Sequence, residues 1–158
     1  MSATAEAELK HEFWTHMSAS PFVMLELDNA PHSAAPMTAQ LDEHAHSAIW
    51  FFTSRDSAFA RMGSATATFV AKNHALFARF AGHLVEETSR ALLDKFWTDA
   101  ITAWFPQGKN SPQVLLLRME LGEASIWDAK MDVLSVTKML LGIDVRDEMK
   151  GHHANTSL

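Results

Sequence analysis

The chain reads as mainly β with flanking helices, an antiparallel barrel or sandwich rather than a βαβ sheet. Three observations predict this. Short apolar runs such as Phe22–Leu27 and Ala48–Thr53 recur between turn residues, and they are too short for helices. Most of their connections are too short to hold a crossover helix. Helical three-four spacing is confined to three stretches: near the start, after Ser89 and after Asp132. With 158 residues, 47% apolar and 20% charged, the chain fits one globular domain with an adequate core.

The elements follow in order. Leu9, Phe13 and Met17 recur every fourth residue, and Glu6 and Glu8 suit a first turn, so Thr4 to Met17 reads as a helix closed by Pro21. Phe22 to Leu27 is a strand, followed by a turn at Asp28–Pro31. His32 to Gln40 returns as a second strand, in which Pro36 marks an edge or bulge. The polar stretch Leu41 to Ser47 reads as a hairpin-tip loop, and Ala48 to Thr53 as the strongest strand. Asp56 is placed to cap a short helix ending at Gly63. Ala65–Ala71 and Leu76–Val85 are strands about a Lys72–Asn73–His74 turn. One helix runs from Ser89 through Trp104, stopped by Pro106 and Gly108. Val114–Leu121 and Ala124–Asp128 are strands either side of Gly122. The last helix spans Asp132 to Leu141 with Gly142 as C-cap, and the polar tail 144–158 is expected to be mobile.

Composition excludes several chemistries. Without cysteine there is no disulfide, thiol nucleophile or sulfur-based metal site, and without tyrosine no phenolic acid or base. A net charge of -6 argues against nucleic acid as the main partner. No apolar run approaches a membrane span, and the N-terminus lacks the basic-then-apolar pattern of a signal peptide, so the expected location is the cytoplasm. No glycine pattern forms GxGxxG or a Walker loop. His11 and His16 are five apart, off one helix face, and His44 with His46 lacks a third ligand, so no metal site is expected. Ser135 and Lys138 match a bare S-x-x-K spacing without its supporting motifs. Arg118 at the end of an apolar run reads as a paired or snorkelling side chain.

Residues alone stop short of a chemistry, but several blocks carry a resemblance. These are Pro31–His32–Ser33 through Pro36–Met37–Thr38, then Trp50–Phe51–Phe52–Thr53–Ser54–Arg55–Asp56–Ser57, then the strand ending near Gly82. Ala103–Trp104–Phe105–Pro106–Gln107–Gly108–Lys109 and Leu115–Arg118 leading to Ile126–Trp127 complete the order. The ordered set, over about residues 9 to 128, resembles the FMN-binding split barrels related to pyridoxamine 5′-phosphate oxidase, particularly the bacterial general stress protein branch.

The resemblance implies a six-stranded antiparallel split barrel that pairs into a homodimer with flavin at the subunit interface. It implies FMN, with FAD as an alternative, and hydride chemistry at flavin N5 on an unknown substrate. The other readings it leaves open are a non-catalytic flavin reservoir or sensor, and a split barrel holding haem or a deazaflavin. By the same resemblance Pro36, Met37, Thr38 and Gln40 border the ring. Phe52 precedes a phosphate turn formed by Thr53, Ser54 and Ser57, and Trp127 reaches the flavin from the second subunit. Two departures stand out. Ala35, with Ala34 before it, stands just ahead of Pro36–Met37 where the family commonly carries an arginine, and Ala58 and Phe59 stand where it tends to carry Arg or Lys. Lys72, Arg55 and Arg61 are the candidate replacement cations. The substrate-binding C-terminal segment of true pyridoxamine phosphate oxidases is also missing, so vitamin B6 oxidation is not expected.

Overall fold

A computed structural model describes residues 2–129, 133–144, 146 and 152–158. Helix α1 (Ala3–Ala19) opens the fold, and the Ser2 hydroxyl caps it by accepting the Ala5 amide. Its buried stripe is Leu9, Phe13 and Met17, the residues that predicted it. Phe13 meets the rings of Phe69 and Phe80 edge-on, at centroid distances of 6.0 and 5.5 Å.

The remainder is built on one antiparallel sheet curved into a half-barrel. Its strands are β1 (Phe22–Leu27), β2 (Ala35–Thr38), β3 (Gln40–Asp42), β4 (Ala45–Ser54), β5 (Gly63–Val70), β6 (Leu76–Glu86), β7 (Val114–Asp128) and β8 (His153–Ser157). They run in the order β2-β1-β5-β6-β7-β4-β3, and β8 lies against β7. Alternation explains the burial. Val23, Leu25 and Leu27 face the core while Phe22 and Met24 face out, and Ala65, Ala67 and Phe69 repeat the pattern on β5. Ile49, Phe51, Leu115, Leu117 and Met119 close the core from β4 and β7.

A second, smaller core lies on the other face of β4 and β7. There Trp50 and Leu116 receive Phe96 of α2 (Arg90–Phe96), with Phe52, Leu92 and Leu93 at its margin. Helix α3 (Asp99–Trp104) follows at once, and α4 (Val133–Leu140) follows β7. Gly142, at φ 74°, ends α4 as expected. Its amide reaches the Met139 carbonyl, and the Ile143 amide reaches that of Lys138.

The fold class matches the sequence reading, and the count of eight described strands exceeds the six of the expected barrel. The second strand is shorter than His32–Gln40 and breaks at Ala39, whose amide turns away to the Pro21 carbonyl. The supposed loop Leu41–Ser47 shrinks to a turn at Glu43–His44, because β3 and β4 pair almost to its tip. The short helix after Asp56 is a 3-10 turn, Ala58–Arg61, preceded by Ser57 without a side-chain cap. Gly122 does not divide β7: Gly122 and Glu123 together oppose Ala81, a bulge that the pairing spans. The end of the tail, expected to be mobile, forms a strand instead: β8 pairs with Glu123–Trp127, and the Thr156 hydroxyl bonds Glu6 of α1. Asp132, the expected first residue of the last helix, lies outside the described residues, as do 145 and 147–151 of the tail.

Gly82 is required where β6 crosses β7. A Cβ there would stand 2.6 Å from the Glu120 carbonyl oxygen and 2.9 Å from two Met119 side-chain atoms. Gly82→Ala is therefore expected to lose about 1–3 kcal/mol of stability through overpacking. Urea unfolding followed by circular dichroism checks this, and an unchanged midpoint would contradict the close approach.

Candidate functional site

A concave cavity of about 340 Å³ opens between β2, the end of β4 and α3. That volume lies within the roughly 300–1,000 Å³ of small-molecule sites. Pro36, Met37 and Thr38 line one wall from β2, with Gln40 beside them. Phe52, Thr53 and Ser54 form the floor where β4 ends, and Ile101, Trp104 and Phe105 form the opposite wall. The walls are therefore apolar, and the polar groups are neutral: two threonines, a serine and an amide. Among the described residues no Lys, Arg or His lines the cavity.

Local structure explains the floor. Strand β4 leaves the sheet after Ser54, and the chain turns through the Ser57 amide bonding the Ser54 carbonyl. Ser57 does not line the cavity; its hydroxyl accepts that of Thr53 at 2.8 Å and so orients it. Arg55, one candidate cation, points elsewhere. Its guanidinium bonds Glu86 and the Pro112 carbonyl, and its amide bonds Gln113. Arg61 ends the 3-10 turn, and Lys72 lies exposed in the turn between β5 and β6. Neither lines the cavity.

Trp127 stands on β7, away from the cavity of its own chain. Its ring stacks on His153 at 4.8 Å and remains 41% exposed. It belongs to an outward row across neighbouring strands: Val70 pairs with Phe77, and Phe77 with Trp127. Phe22 and Met24 on β1 extend the exposed apolar face, and they pair with Thr38 and Pro36 of the cavity wall.

The α3 wall was not among the expected site residues. It is carried by a polar anchor at the start of α2. The Glu87 carboxylate accepts the Trp50 indole N–H at 2.9 Å, Arg118 at 3.1 Å and the Ser89 amide at 3.2 Å. Burial alone would raise its pKa, but these hydrogen bonds and the Arg118 charge together hold it below the usual glutamate range. Asp42 accepts Lys95 of α2 at 3.1 Å, and Asp94 accepts Lys109 at 3.0 Å. The His44 amide and the Lys95 ammonium lower Asp42, and Lys109 lowers Asp94. The expected continuous helix instead breaks at Trp97–Thr98. The Thr98 hydroxyl accepts the Ile101 amide and starts α3 afresh, turning Ile101, Trp104 and Phe105 onto the cavity. The Trp104–Phe105–Pro106 block and the Thr98 cap were the available signals.

Elsewhere the candidates separate. His44 sits at the β3–β4 turn beside Glu43, while His46 packs against Trp14. Arg118 is paired as expected, with Glu87 and Glu120. Among the described residues no cluster of three or more His, Asp or Glu is arranged to hold a metal ion. No described helix is long and apolar enough to cross a membrane.

A half-barrel with an apolar, hydroxyl-floored cavity at its strand edge defines a split-barrel protein. The sequence matches the family described as "Pyridoxamine 5'-phosphate oxidase like" over residues 8–149, and the chain belongs to that family. Among solved structures it is similar to a general stress protein 26 from Jannaschia sp. CCS1. Identity is 27% over 96% of this chain and 99% of that one, with a TM-score of 0.77. It is also similar to the general stress FMN/FAD binding protein of Xanthomonas citri, at 36% identity over 80% of this chain and 93% of that one, TM-score 0.72. A general stress family protein of Xanthomonas campestris pv. campestris is 34% identical over 80% of this chain and 92% of that one, TM-score 0.68. A search of curated proteins finds no match.

Proposed function

We propose that the chain binds a flavin, FMN foremost, in the cavity between β2, β4 and α3, and serves as a flavin-dependent oxidoreductase. The carrying observation is that Pro36, Met37, Thr38, Gln40, Phe52, Thr53 and Ser54 line one cavity. These are residues that the family resemblance nominates for flavin. The Xanthomonas citri relative is described as FMN/FAD binding, which supports the same ligand class.

The residues fit the group. The apolar walls suit a planar ring, and the neutral hydroxyls of Thr53 and Ser54 suit its polar tail. When bound, a flavin supplies hydride and electron transfer at its own ring. The chain's part is then to exclude water with Pro36, Met37, Phe52 and Phe105, to orient the ring by Thr38 and Gln40, and to fix the tail. Among the described residues no ionisable side chain lines the cavity, so they offer no acid or base there.

The functional unit is a homodimer. Phe22, Met24, Val70, Phe77 and Trp127 are each at least 40% exposed and form an apolar face that runs to the cavity edge. Covering that face with a second copy would bring Trp127 of the partner subunit to the flavin.

The all-neutral floor favours one second reading, an exchangeable flavin reservoir, because charge-assisted hydrogen bonds are roughly twice as strong as neutral ones. Haem draws no support from the cavity, which no described histidine lines.

Titrating the apo-protein with FMN while measuring its mass tests the proposal: saturation near one flavin per subunit of a dimer is expected. Absence of binding would overturn it, and binding without reduction by NADH or NADPH would favour the reservoir. The double variant Thr53→Ala, Ser54→Ala is expected to weaken FMN about tenfold while leaving riboflavin nearly unchanged, since about 1.4 kcal/mol of phosphate hydrogen bonding is at stake. Equal losses for both ligands would move the phosphate elsewhere.

A further inference from the structure

We propose that Trp104 is the aromatic cover of the cavity, whose indole closes over the bound flavin ring and sets how long the flavin stays. This rests on the flavin reading above.

The chain has five tryptophans. Trp14 packs on Phe13 and His46, Trp50 on Phe96, Trp97 on Phe52 and Phe105, and Trp127 on His153. Trp104 alone has no aromatic partner among the described residues. It lines the cavity, yet it is 82% exposed. A large apolar ring held at a cavity wall without a partner is suited to a planar ligand.

The mounting of α3 suits a cover. The helix buries no residue of its own. Before it, Trp97 and Thr98 are extended, and after it Gly108 takes φ 89°, so it lies between two non-helical joints. One side is held. The Trp97 indole donates to the Thr102 hydroxyl at 2.9 Å, and the Trp97 and Phe105 rings lie 6.1 Å apart. Trp97 in turn meets Phe52 of the cavity floor. The Trp104 side has no such tether among the described residues. The wall therefore stays in register with the floor while its outer edge can follow a ligand.

The test uses Trp104→Ala and Trp104→Phe beside the wild type, with FMN as the probe. Release of bound FMN is timed by the rise in flavin fluorescence on dilution, and quenching of tryptophan emission is recorded on loading. Loss of the ring is expected to speed release roughly tenfold, the scale of one aromatic stack. Phenylalanine is expected to restore most of the retention, and the alanine variant to lose part of the quenching. Equal release rates in all three proteins, at unchanged circular dichroism and mass, would overturn the assignment and leave the flavin reading intact. A shift in dimer mass with equal release from the dimer would also overturn it. Failure of the wild type to bind FMN would remove both proposals together.

Discussion

Phe13→Ala is expected to remove about 3–5 kcal/mol of folding free energy, the loss that follows when a large aromatic is deleted from a core that cannot collapse around the gap. The ring is fully buried and stands at the centre of an aromatic cluster with Trp14, Phe69 and Phe80. Those partners come from α1, β5 and β6, so no single element can move in to fill the space. Domains are typically stable by only about 5–15 kcal/mol, so the variant should approach marginal stability. Urea unfolding at neutral pH measures the loss, with Phe13→Leu as the milder comparison. A loss under about 1 kcal/mol for alanine would mean that α1 is an accessory to the barrel rather than its closure.

Glu87→Leu is expected to cost about 3 kcal/mol, because it leaves three donors without their acceptor. The Trp50 indole is only 3% exposed and cannot turn to water. Arg118 keeps Glu120 but loses its less exposed partner. The carboxylate also sets a pH dependence. Its folded pKa lies below the unfolded value, so its contribution is present above about 4.5 and is lost as pH falls through the lower, folded value. The stability gap between wild type and Glu87→Gln should therefore narrow on acidification through that range. Unfolding curves across pH check this, and a gap independent of pH would show that the hydrogen bonds do not depend on the charge. Because Glu87 anchors the start of α2, the same variants should loosen the α3 wall and weaken FMN.

Local rules carried much of this architecture. The Leu9–Phe13–Met17 stripe marked α1, and β1 falls at Phe22–Leu27 as its apolar run and flanking turns indicated. The failures have physical causes. The three-four spacing from Leu93 to Trp104 continues across a break, because Thr98 satisfies the helix rhythm while capping a new helix. Strand β8 is polar apart from Ala154, and it exists because the second half of β7 offers a free edge, a tertiary opportunity with no local signature. The cavity shows the same division. Its β2 and β4 residues were named through the family resemblance, not through any chemistry legible in their types, since the described lining carries no charge and no nucleophile beyond hydroxyls. Ile101, Trp104 and Phe105 escaped because their approach depends on the unread break. Lys72 and Trp127, nominated by the same resemblance, do not line the cavity.

The bulge at Gly122–Glu123 has one more effect, on parity. Before it, the odd positions Leu115, Leu117 and Met119 point inward; after it, the even positions Ala124 and Ile126 do. Counted straight through from Leu117, Trp127 would be an inward residue. One extra residue inverts the phase and delivers the indole to the outside. The outward aromatic of β7 is thus a matter of counting: its direction is set several residues upstream, by a position that touches neither the ring nor the cavity.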